Sequence, residues 1–182
     1  AADVRLALPR FSEDVDVASA IGVSSLNLPT RGLGLSIGAH WYPLRGRVVT
    51  LGLGGEILVS RGRDTLEAVE EGGPPGPTVV TRFSSVSPQL SLNFGSSEGW
   101  SYLTGGIGWA GFTTEREDMP VAEGERVRAF NYGGGARWFA KKHLAFAVDL
   151  RFYAMGAQAA APGRPGYGAQ TRMVISAGMA FK

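Results

Sequence analysis

The clearest pattern in the chain is the strict alternation of residues 143–153. Large apolar side chains take every second position, and small or charged ones take most of the positions between. Successive side chains of a β-strand point to opposite faces, so this stretch predicts a strand with one bulky apolar face. The bulky set is Leu144, Phe146, Val148, Leu150 and Phe152, and the opposite set is Ala145, Ala147, Asp149, Arg151 and Tyr153.

Similar runs, bounded by turn residues, follow one another along the chain. They predict about eight strands. The expected ranges are 14–25, 33–43, 47–60, 79–94, 100–113, 126–139, 143–155 and 169–181. Pro88 lies inside one of them and predicts a β-bulge, because proline cannot donate a ladder hydrogen bond.

The connections between these runs alternate in length. Short turns are expected at 43–46, 95–99 and 140–142, and longer, more polar loops at 26–32, 61–78, 114–125 and 156–168. All short turns and both ends of the chain therefore lie at one end of the sheet. An up-and-down barrel of the bacterial outer membrane has this asymmetry, with short periplasmic turns and long extracellular loops.

The distribution of side-chain size indicates which face is inside. In each run the face that carries charges is also rich in Gly, Ala and Ser, which suit the crowded interior of a narrow barrel. Bulky apolar side chains suit an exterior that contacts lipid. The predicted fold is therefore an all-β, eight-stranded antiparallel up-and-down transmembrane β-barrel over residues 14–182, preceded by a periplasmic arm at residues 1–13.

Aromatic residues on the outward positions fall into two groups. Such rows are typical of the girdles at the two lipid–water interfaces of a membrane protein. The expected girdle near the short turns comprises Trp41, Phe94, Trp138 and Phe181, and the one near the long loops comprises Trp109, Phe130, Tyr132 and Phe152. Arg82 also faces outward, so we expect it to reach the headgroup region.

The expected interior contains a set of opposite charges. An unpaired charge in such a space is costly, so acidic and basic side chains there must be paired. We expect Glu56 and Asp149 to bridge Arg137, Arg151 and Arg172.

Composition narrows the function classes. The net charge of +2 is small, and no basic cluster with interleaved aromatic residues occurs, so no nucleic-acid partner is expected. The chain has no cysteine, which excludes disulfides and thiolate chemistry. It has no run of about 18 apolar residues, so no transmembrane helix is predicted.

Two glycine motifs resemble catalytic or cofactor signatures. Residues 34–38 match G-x-S-x-G, and residues 106–111 match G-x-G-x-x-G. Both signatures require a helix after the glycines, whereas the alternation here continues as a strand. Neither His40 nor His143 has a carboxylate at ligand spacing. No enzyme activity, catalytic residue, metal site or cofactor is predicted.

Residues 131–153 carry a family resemblance. Their pattern is three glycines, an arginine after one further residue, two aromatics, a tight turn, and an alternating strand with an inward Asp-x-Arg. This pattern, at 133–139 and 147–153, resembles the small outer-membrane β-barrel superfamily, which includes the outer-membrane protein A transmembrane domain, OmpW and the opacity proteins. The resemblance implies the fold and the outer-membrane location. Members serve as anchors, adhesins, narrow channels and accessory subunits, so it implies no single activity.

The expected function is a structural, anchoring or interaction role, with long loops presented outside the cell, alone or within a larger surface assembly. Expected partners are outer-membrane lipid and lipopolysaccharide, and a protein bound through the loops or residues 1–13. One alternative is a narrow channel for water, ions or small apolar solutes. Another is a soluble lipocalin-like carrier, which requires an apolar interior.

Overall fold

The computed structural model describes residues 1–68, 73–95, 98–121, 124–162 and 164–181. Its strands form one closed barrel in which each strand pairs with its neighbours in the chain and the first pairs with the last. All eight pairings are antiparallel. The prediction of an all-β, eight-stranded up-and-down barrel is confirmed.

The strands differ in length, and the wall is tallest over the third to fifth. The strands are β1 (Ala2–Arg10), β2 (Leu33–Arg45), β3 (Val49–Thr65), β4 (Thr78–Gly95), β5 (Gly99–Arg116), β6 (Val127–Lys141), β7 (Leu144–Met155) and β8 (Gln170–Phe181). Helix α1 (Val15–Ala20) and a 3-10 helix (Ser25–Asn27) lie between β1 and β2. Within the described ranges, no helix is long and apolar enough to cross a membrane.

The beginning of the chain differs from the sequence prediction. Residues 1–13 are not an arm, because β1 pairs with both β2 and β8 and completes the barrel. Residues 14–25 are not a strand. Asp14 accepts hydrogen bonds from the backbone N–H groups of Asp16 and Val17, at 3.0 and 3.2 Å, and so caps α1. The alternation there ends after four residues, whereas in β1 it extends along the whole strand.

The two ends of the barrel differ as the turn lengths predict. Ala2 pairs with Phe181, so both ends of the described chain lie beside the short β2–β3, β4–β5 and β6–β7 turns. The described parts of the longer connections lie at the opposite end, and they comprise residues 11–32, 66–68, 73–77, 117–121, 124–126, 156–162 and 164–169. We call these the short-turn end and the loop end.

Burial follows the strand alternation with the polar side chains inside. In β7 the positions of Asp149 and Arg151 are buried, whereas Phe146 and Val148 on the other face are exposed. The same inversion holds in the other strands, where Ser, Asn and Gln line the interior and Leu, Ile and Val cover the outside.

The expected bulge at Pro88 is absent, because β4 and β5 keep one register on both sides of it. An outward-facing proline removes ladder bonds there without shifting the strand.

Candidate functional site

Six charged side chains meet inside the barrel, and we call them the charged network. They are Asp3 and Arg5 on β1, Glu56 on β3, Arg137 on β6, and Asp149 and Arg151 on β7. Each residue is at most 5% exposed to solvent. Three carboxylates therefore balance three guanidinium groups in a space from which water is largely excluded.

Arg5 lies at the centre of the charged network. Its Nε atom is 2.9 Å from Asp3 Oδ1, its Nη2 atom 2.5 Å from Glu56 Oε2, and its Nη1 atom 3.2 Å from Asp149 Oδ2. One guanidinium thus contacts all three carboxylates. The planar group with five donors makes arginine suited to this arrangement, since a lysine has only three donors around one point.

Arg151 links two of the same carboxylates, those of Asp149 and Glu56. It donates from Nε to Asp149 Oδ1 at 3.1 Å and from Nη2 to Asp149 Oδ2 at 3.0 Å. Its Nη1 atom is 3.1 Å from Glu56 Oε2. Glu56 and Asp149 therefore share Arg151, as well as Arg5, within a continuous ionic arrangement.

Two tyrosines complete the coordination of the carboxylates. Tyr102 donates to Asp149 Oδ2 at 2.8 Å, and Tyr153 donates to Glu56 Oε1 at 2.5 Å. A Cβ atom at Gly135 would lie 2.6 Å from the Tyr102 hydroxyl oxygen. Glycine at that position therefore leaves the room that the tyrosine needs to reach Asp149.

The charged network joins opposite walls of the barrel. In a closed ring of eight strands, β3 and β7 face each other across the interior. Their side chains meet directly through the Arg151–Glu56 contact, and Tyr153 on β7 also reaches Glu56. Arg5 on β1 and Tyr102 on β5, another opposite pair, both contact Asp149. Side chains therefore fill the cross-section at this level.

Arg137 belongs to the charged network but not through the expected carboxylates. It contacts Asp3 Oδ2 at 3.0 Å and donates to the Tyr42 hydroxyl at 2.6 Å. The expected bridge to Glu56 and Asp149 is wrong, because Asp3 supplies the nearer carboxylate. A Cβ atom at Gly38 would lie 2.9 Å from Asp3 Oδ1, so glycine there makes room for this aspartate.

Arg172 lies outside the charged network, and its expected bridge is also wrong. Its guanidinium carbon lies 3.9 Å from the ring centroid of Phe112 and 5.6 Å from that of Phe11. It donates to Ser12 Oγ and Gln170 Oε1 at 3.2 and 2.7 Å. Aromatic faces and neutral oxygens take the place of a carboxylate here.

Sequence reasoning missed Asp3 and Arg5 because residues 1–13 were excluded from the barrel. A signal was available in β1 itself, where Asp3 and Arg5 alternate with Val4, Leu6 and Leu8 in the same period of two as the predicted strands. The predicted interior set held three arginines against two carboxylates because it included Arg172, which lies outside the charged network. With Arg172 removed and Asp3 and Arg5 added, the buried charges balance, as the cost of an unpaired buried charge requires.

A second interior region, nearer the loop end, is apolar, and we call it the apolar cap. Its main members are Phe11, Val17, Leu58, Phe83, Phe112 and Tyr167. Helix α1 contributes Val17 to the apolar cap. Arg116 of β5 donates a hydrogen bond from Nη1 to the Ile21 carbonyl oxygen at 3.2 Å, which holds the end of α1 against β5. Burial raises the pKa of the Tyr167 hydroxyl above its usual value, because the apolar surroundings disfavour the charged form.

The expected girdle residues lie on the outside or at its edge. Trp41, Trp138 and Phe181 are exposed near the short-turn end, and Phe94 is partly buried there. At the loop end, Trp109 is exposed, and Phe130, Tyr132 and Phe152 form a row across β6 and β7. Adjacent ring centroids in that row are 5.6 and 5.5 Å apart.

The glycine motifs lie in uninterrupted strands. Ser36 is an inward residue of β2 whose hydroxyl accepts a hydrogen bond from Arg5 at 3.4 Å, and residues 106–111 continue β5. His40 is buried in the interior, whereas His143 is exposed in the β6–β7 turn. Across the described part of the chain, no three His, Cys, Asp or Glu side chains are grouped to hold a metal ion.

Comparison with protein-family models finds no family that matches the chain, and a search of curated proteins finds no similar sequence. The geometry of the barrel itself is therefore the basis for assigning a function. Its interior offers paired charges and a packed apolar cap, an arrangement suited to holding strands together.

Proposed function

We propose that this chain is a closed β-barrel that crosses the bacterial outer membrane and serves as an anchor presenting its loop end to partners. The observation that carries the proposal is the inverted distribution of polarity. The side chains that meet across the interior are charged, and those that cover the exterior strand surface are aliphatic and aromatic.

The exterior supports contact with lipid. Ile107 and Leu103 on β5 are 66% and 60% exposed, and Leu90 on β4 is 56% exposed. Soluble monomers rarely expose contiguous apolar patches of more than a few hundred Å². Here the apolar surface continues onto the other strands, with aromatic residues towards both ends. Lipid is the environment that best stabilises such a surface.

The interior supports an anchor over a channel. A channel requires a continuous path, whereas the charged network joins β3 to β7 through Glu56 and Arg151. The apolar cap adds a second obstruction nearer the loop end. Transport would therefore require both layers to rearrange together.

The same interior argues against a soluble lipocalin-like carrier. Such a carrier surrounds an apolar ligand with apolar walls and exposes polar residues to water. In this barrel Arg5, Asp149 and Arg151 occupy the middle of the interior, and each is 2% exposed. The resemblance of residues 131–153 to small outer-membrane barrels points the same way.

The proposed orientation follows from the asymmetry of the connections. Outer-membrane barrels have short periplasmic turns and longer extracellular loops. We therefore propose that both ends of the described chain are periplasmic and that the loop end faces outward. The long loops and the surface beside them are the proposed sites of contact with lipopolysaccharide or a protein partner.

Membrane association is tested by expressing the chain with a secretion signal in a diderm bacterium and washing the membranes with alkaline carbonate. The proposal predicts that the protein remains in the outer-membrane pellet and is released only by detergent. A periplasmic protein without a membrane surface, washed in parallel, controls for trapping. Recovery in the carbonate supernatant would overturn the membrane assignment.

Whether the barrel interior is closed to ions is tested separately, by measuring conductance across planar bilayers. The wild-type barrel is expected to give no unitary current steps, while a known open porin in the same bilayers gives them. Steady unitary currents from correctly folded wild-type protein would contradict the closed anchor and favour the narrow channel.

A further inference from the structure

A cavity of about 270 Å³, lined by both polar and apolar residues, lies on the barrel wall at the loop end. Arg82 and Ser84 of β4 contribute outward positions, Gly111 and Thr113 do so on β5, and Arg126 precedes β6. The cavity thus combines two guanidinium groups with two hydroxyls. Together these groups offer several hydrogen-bond donors directed to one place outside the barrel.

The charge around this cavity favours an anion. The Nη1 atom of Arg82 is 2.5 Å from Oε1 of Glu115. Arg61 lies directly opposite Arg82 in the β3–β4 pairing. Like charges directly opposite one another destabilise a sheet unless a counter-ion intervenes. Among the described residues, Arg61 and Arg126 have no carboxylate partner. Of the two arginines that line the cavity, Arg82 therefore has Glu115 as its partner, whereas the charge of Arg126 and that of the neighbouring Arg61 are not offset by a carboxylate of the described residues.

An apolar groove of about 880 Å³ lies on the same wall, nearer the short-turn end. Its sides are formed largely by Leu53, Leu90, Leu92, Leu103, Ile107 and Phe130. Pro88 and Gly105 lie between these larger residues. A Cβ atom at Gly105 would have its nearest neighbour, the Asn131 carbonyl oxygen, 3.7 Å away. Packing therefore does not require glycine at this position, and its absent side chain deepens the groove.

The cavity and the groove lie along the same two strands, β4 and β5, with Val86 and Trp109 between them. The outward positions of β4 change from Val86 and Pro88 to Ser84 and Arg82, so the apolar surface ends at Val86. Ser84 and Pro88 are four residues, roughly 13 Å, apart along the strand. Trp109 pairs with Val86 at this boundary, and indole rings favour the interface between hydrocarbon and headgroups.

We propose that this wall binds a phospholipid whose headgroup carries a net negative charge, with its phosphate between Arg82 and Arg126 and an acyl chain in the groove at Gly105. The inference rests on the proposed membrane-spanning function. The hydroxyls of Ser84 and Thr113 supply further donors to the phosphate. The order of the cavity and the groove along the wall matches an amphiphile whose charged and apolar parts are joined end to end.

The test uses native mass spectrometry of the purified, detergent-solubilised protein with equal amounts of phosphatidylglycerol and phosphatidylcholine. Wild type is expected to retain phosphatidylglycerol in preference. The double variant Arg82→Gln/Arg126→Gln is expected to bind it roughly tenfold less, because charge-assisted hydrogen bonds are lost. The matched control Arg45→Gln/Arg47→Gln removes two charges at the short-turn end and is expected to keep the preference.

A second variant tests the groove independently. Gly105→Leu fills it and is expected to weaken phosphatidylglycerol binding, while Ala177→Leu, an outward change on β8, leaves binding unaltered. Excess inorganic phosphate is expected to displace little lipid, since a free anion lacks the acyl chain. Displacement by phosphate at equal concentration would indicate a simple anion site and overturn the lipid assignment.

Equal binding of the two lipids by wild type, or an unchanged preference in the Arg82/Arg126 double variant, would also overturn the proposal. These failures are distinct from failure of the proposed function. A barrel that stays in the carbonate-washed pellet but shows no lipid preference lacks only this site, whereas a barrel in the supernatant is not a membrane protein.

Discussion

The charged network and the apolar cap fill adjacent parts of one barrel interior in different ways. The network is built wholly from strand residues, and its contacts run from wall to wall, as between Arg151 and Glu56. The cap combines strand residues such as Leu58 with Val17 of α1 and Tyr167 of the β7–β8 connection. One region holds the walls together, and the other attaches the connections to them.

The two regions also differ energetically. Removing a partner from the charged network leaves a buried charge uncompensated, whereas truncating a cap residue leaves a cavity. The network demands a specific set of partners, since three carboxylates and three arginines must meet. The cap demands mainly volume and apolar character.

The largest effect is expected from Asp149→Ala. This change removes a carboxylate that contacts Arg5, Arg151 and Tyr102. The free energy of unfolding should fall by about 3–5 kcal/mol, because two buried guanidinium groups lose a partner. Urea denaturation of the barrel in lipid vesicles measures the change. The control is Asp118→Ala, which removes an exposed carboxylate paired with Arg116.

An Asp149→Ala midpoint equal to that of Asp118→Ala would contradict the role of the charged network. A double-mutant cycle of Asp149 and Arg151 sharpens the test. The two substitutions together should cost less than the sum of their separate effects, because each removes the same contact.

In the apolar cap, Leu58→Ala should lower the free energy of unfolding by about 2–5 kcal/mol, the usual range for a buried leucine. Leu58 is fully buried. Leu58→Met, which nearly conserves volume, is the matched control and should cost less than about 1.5 kcal/mol. An equal decrease in the free energy of unfolding for both variants would show that the apolar cap requires a side chain of specific shape and not only of the right volume.

The exterior provides a third comparison, because its middle is covered by apolar side chains, whereas the interior at the same height holds the charged network. Leu53→Lys should cost roughly 2–4 kcal/mol if the side chain meets lipid near the middle of the bilayer. Val48→Lys makes a similar change in the exposed β2–β3 turn and should be nearly neutral. Similar unfolding midpoints in vesicles for the two variants would contradict the assignment of the exterior.

The smallest effect is expected at the helix that contributes to the cap. Asp14→Ala removes the two hydrogen bonds that cap α1 and should cost about 1 kcal/mol. Glu13→Ala, one residue earlier and exposed, is the control. If the two variants have the same free energy of unfolding, capping of α1 does not contribute to the stability of the barrel.

The same contrast explains what could be predicted from the sequence. Strand alternation has a period of two, so it identifies the face of Glu56, Asp149 and Arg151 without knowledge of their partners. It does not determine which inward residues meet across the barrel, and the partner of Arg137 was missed for a further reason, since Asp3 lies in a segment that was excluded from the barrel. That pairing depends on stagger between strands that are not neighbours.

The loop end was harder to predict for a different reason. Four alternating residues from Asp14 to Val17 resemble the start of a strand, and a capped helix of only six residues has a weak periodic signal. Arg172 has the parity of an interior charge, yet Phe11 and Phe112 surround it. Phe11 lies beyond the end of β1, in a segment that was not assigned to the barrel.

The most direct test of the central claim, that the outside of this barrel contacts lipid, compares Trp138 with Trp100. Trp138 is 53% exposed on the outer face, whereas Trp100 contacts the rings of Tyr42 and Phe139, at centroid distances of 5.4 and 5.7 Å. Trp138 pairs with Gly99, the neighbour of Trp100, so the two indoles lie at similar depth.

Single-tryptophan variants, with the other tryptophans changed to Phe, would be placed in vesicles of lipids brominated along their acyl chains. Bromine quenches only fluorophores that it can approach. The account predicts strong quenching of Trp138 and several-fold weaker quenching of Trp100. Equally weak quenching of both indoles in folded, vesicle-bound protein would contradict a lipid-facing exterior.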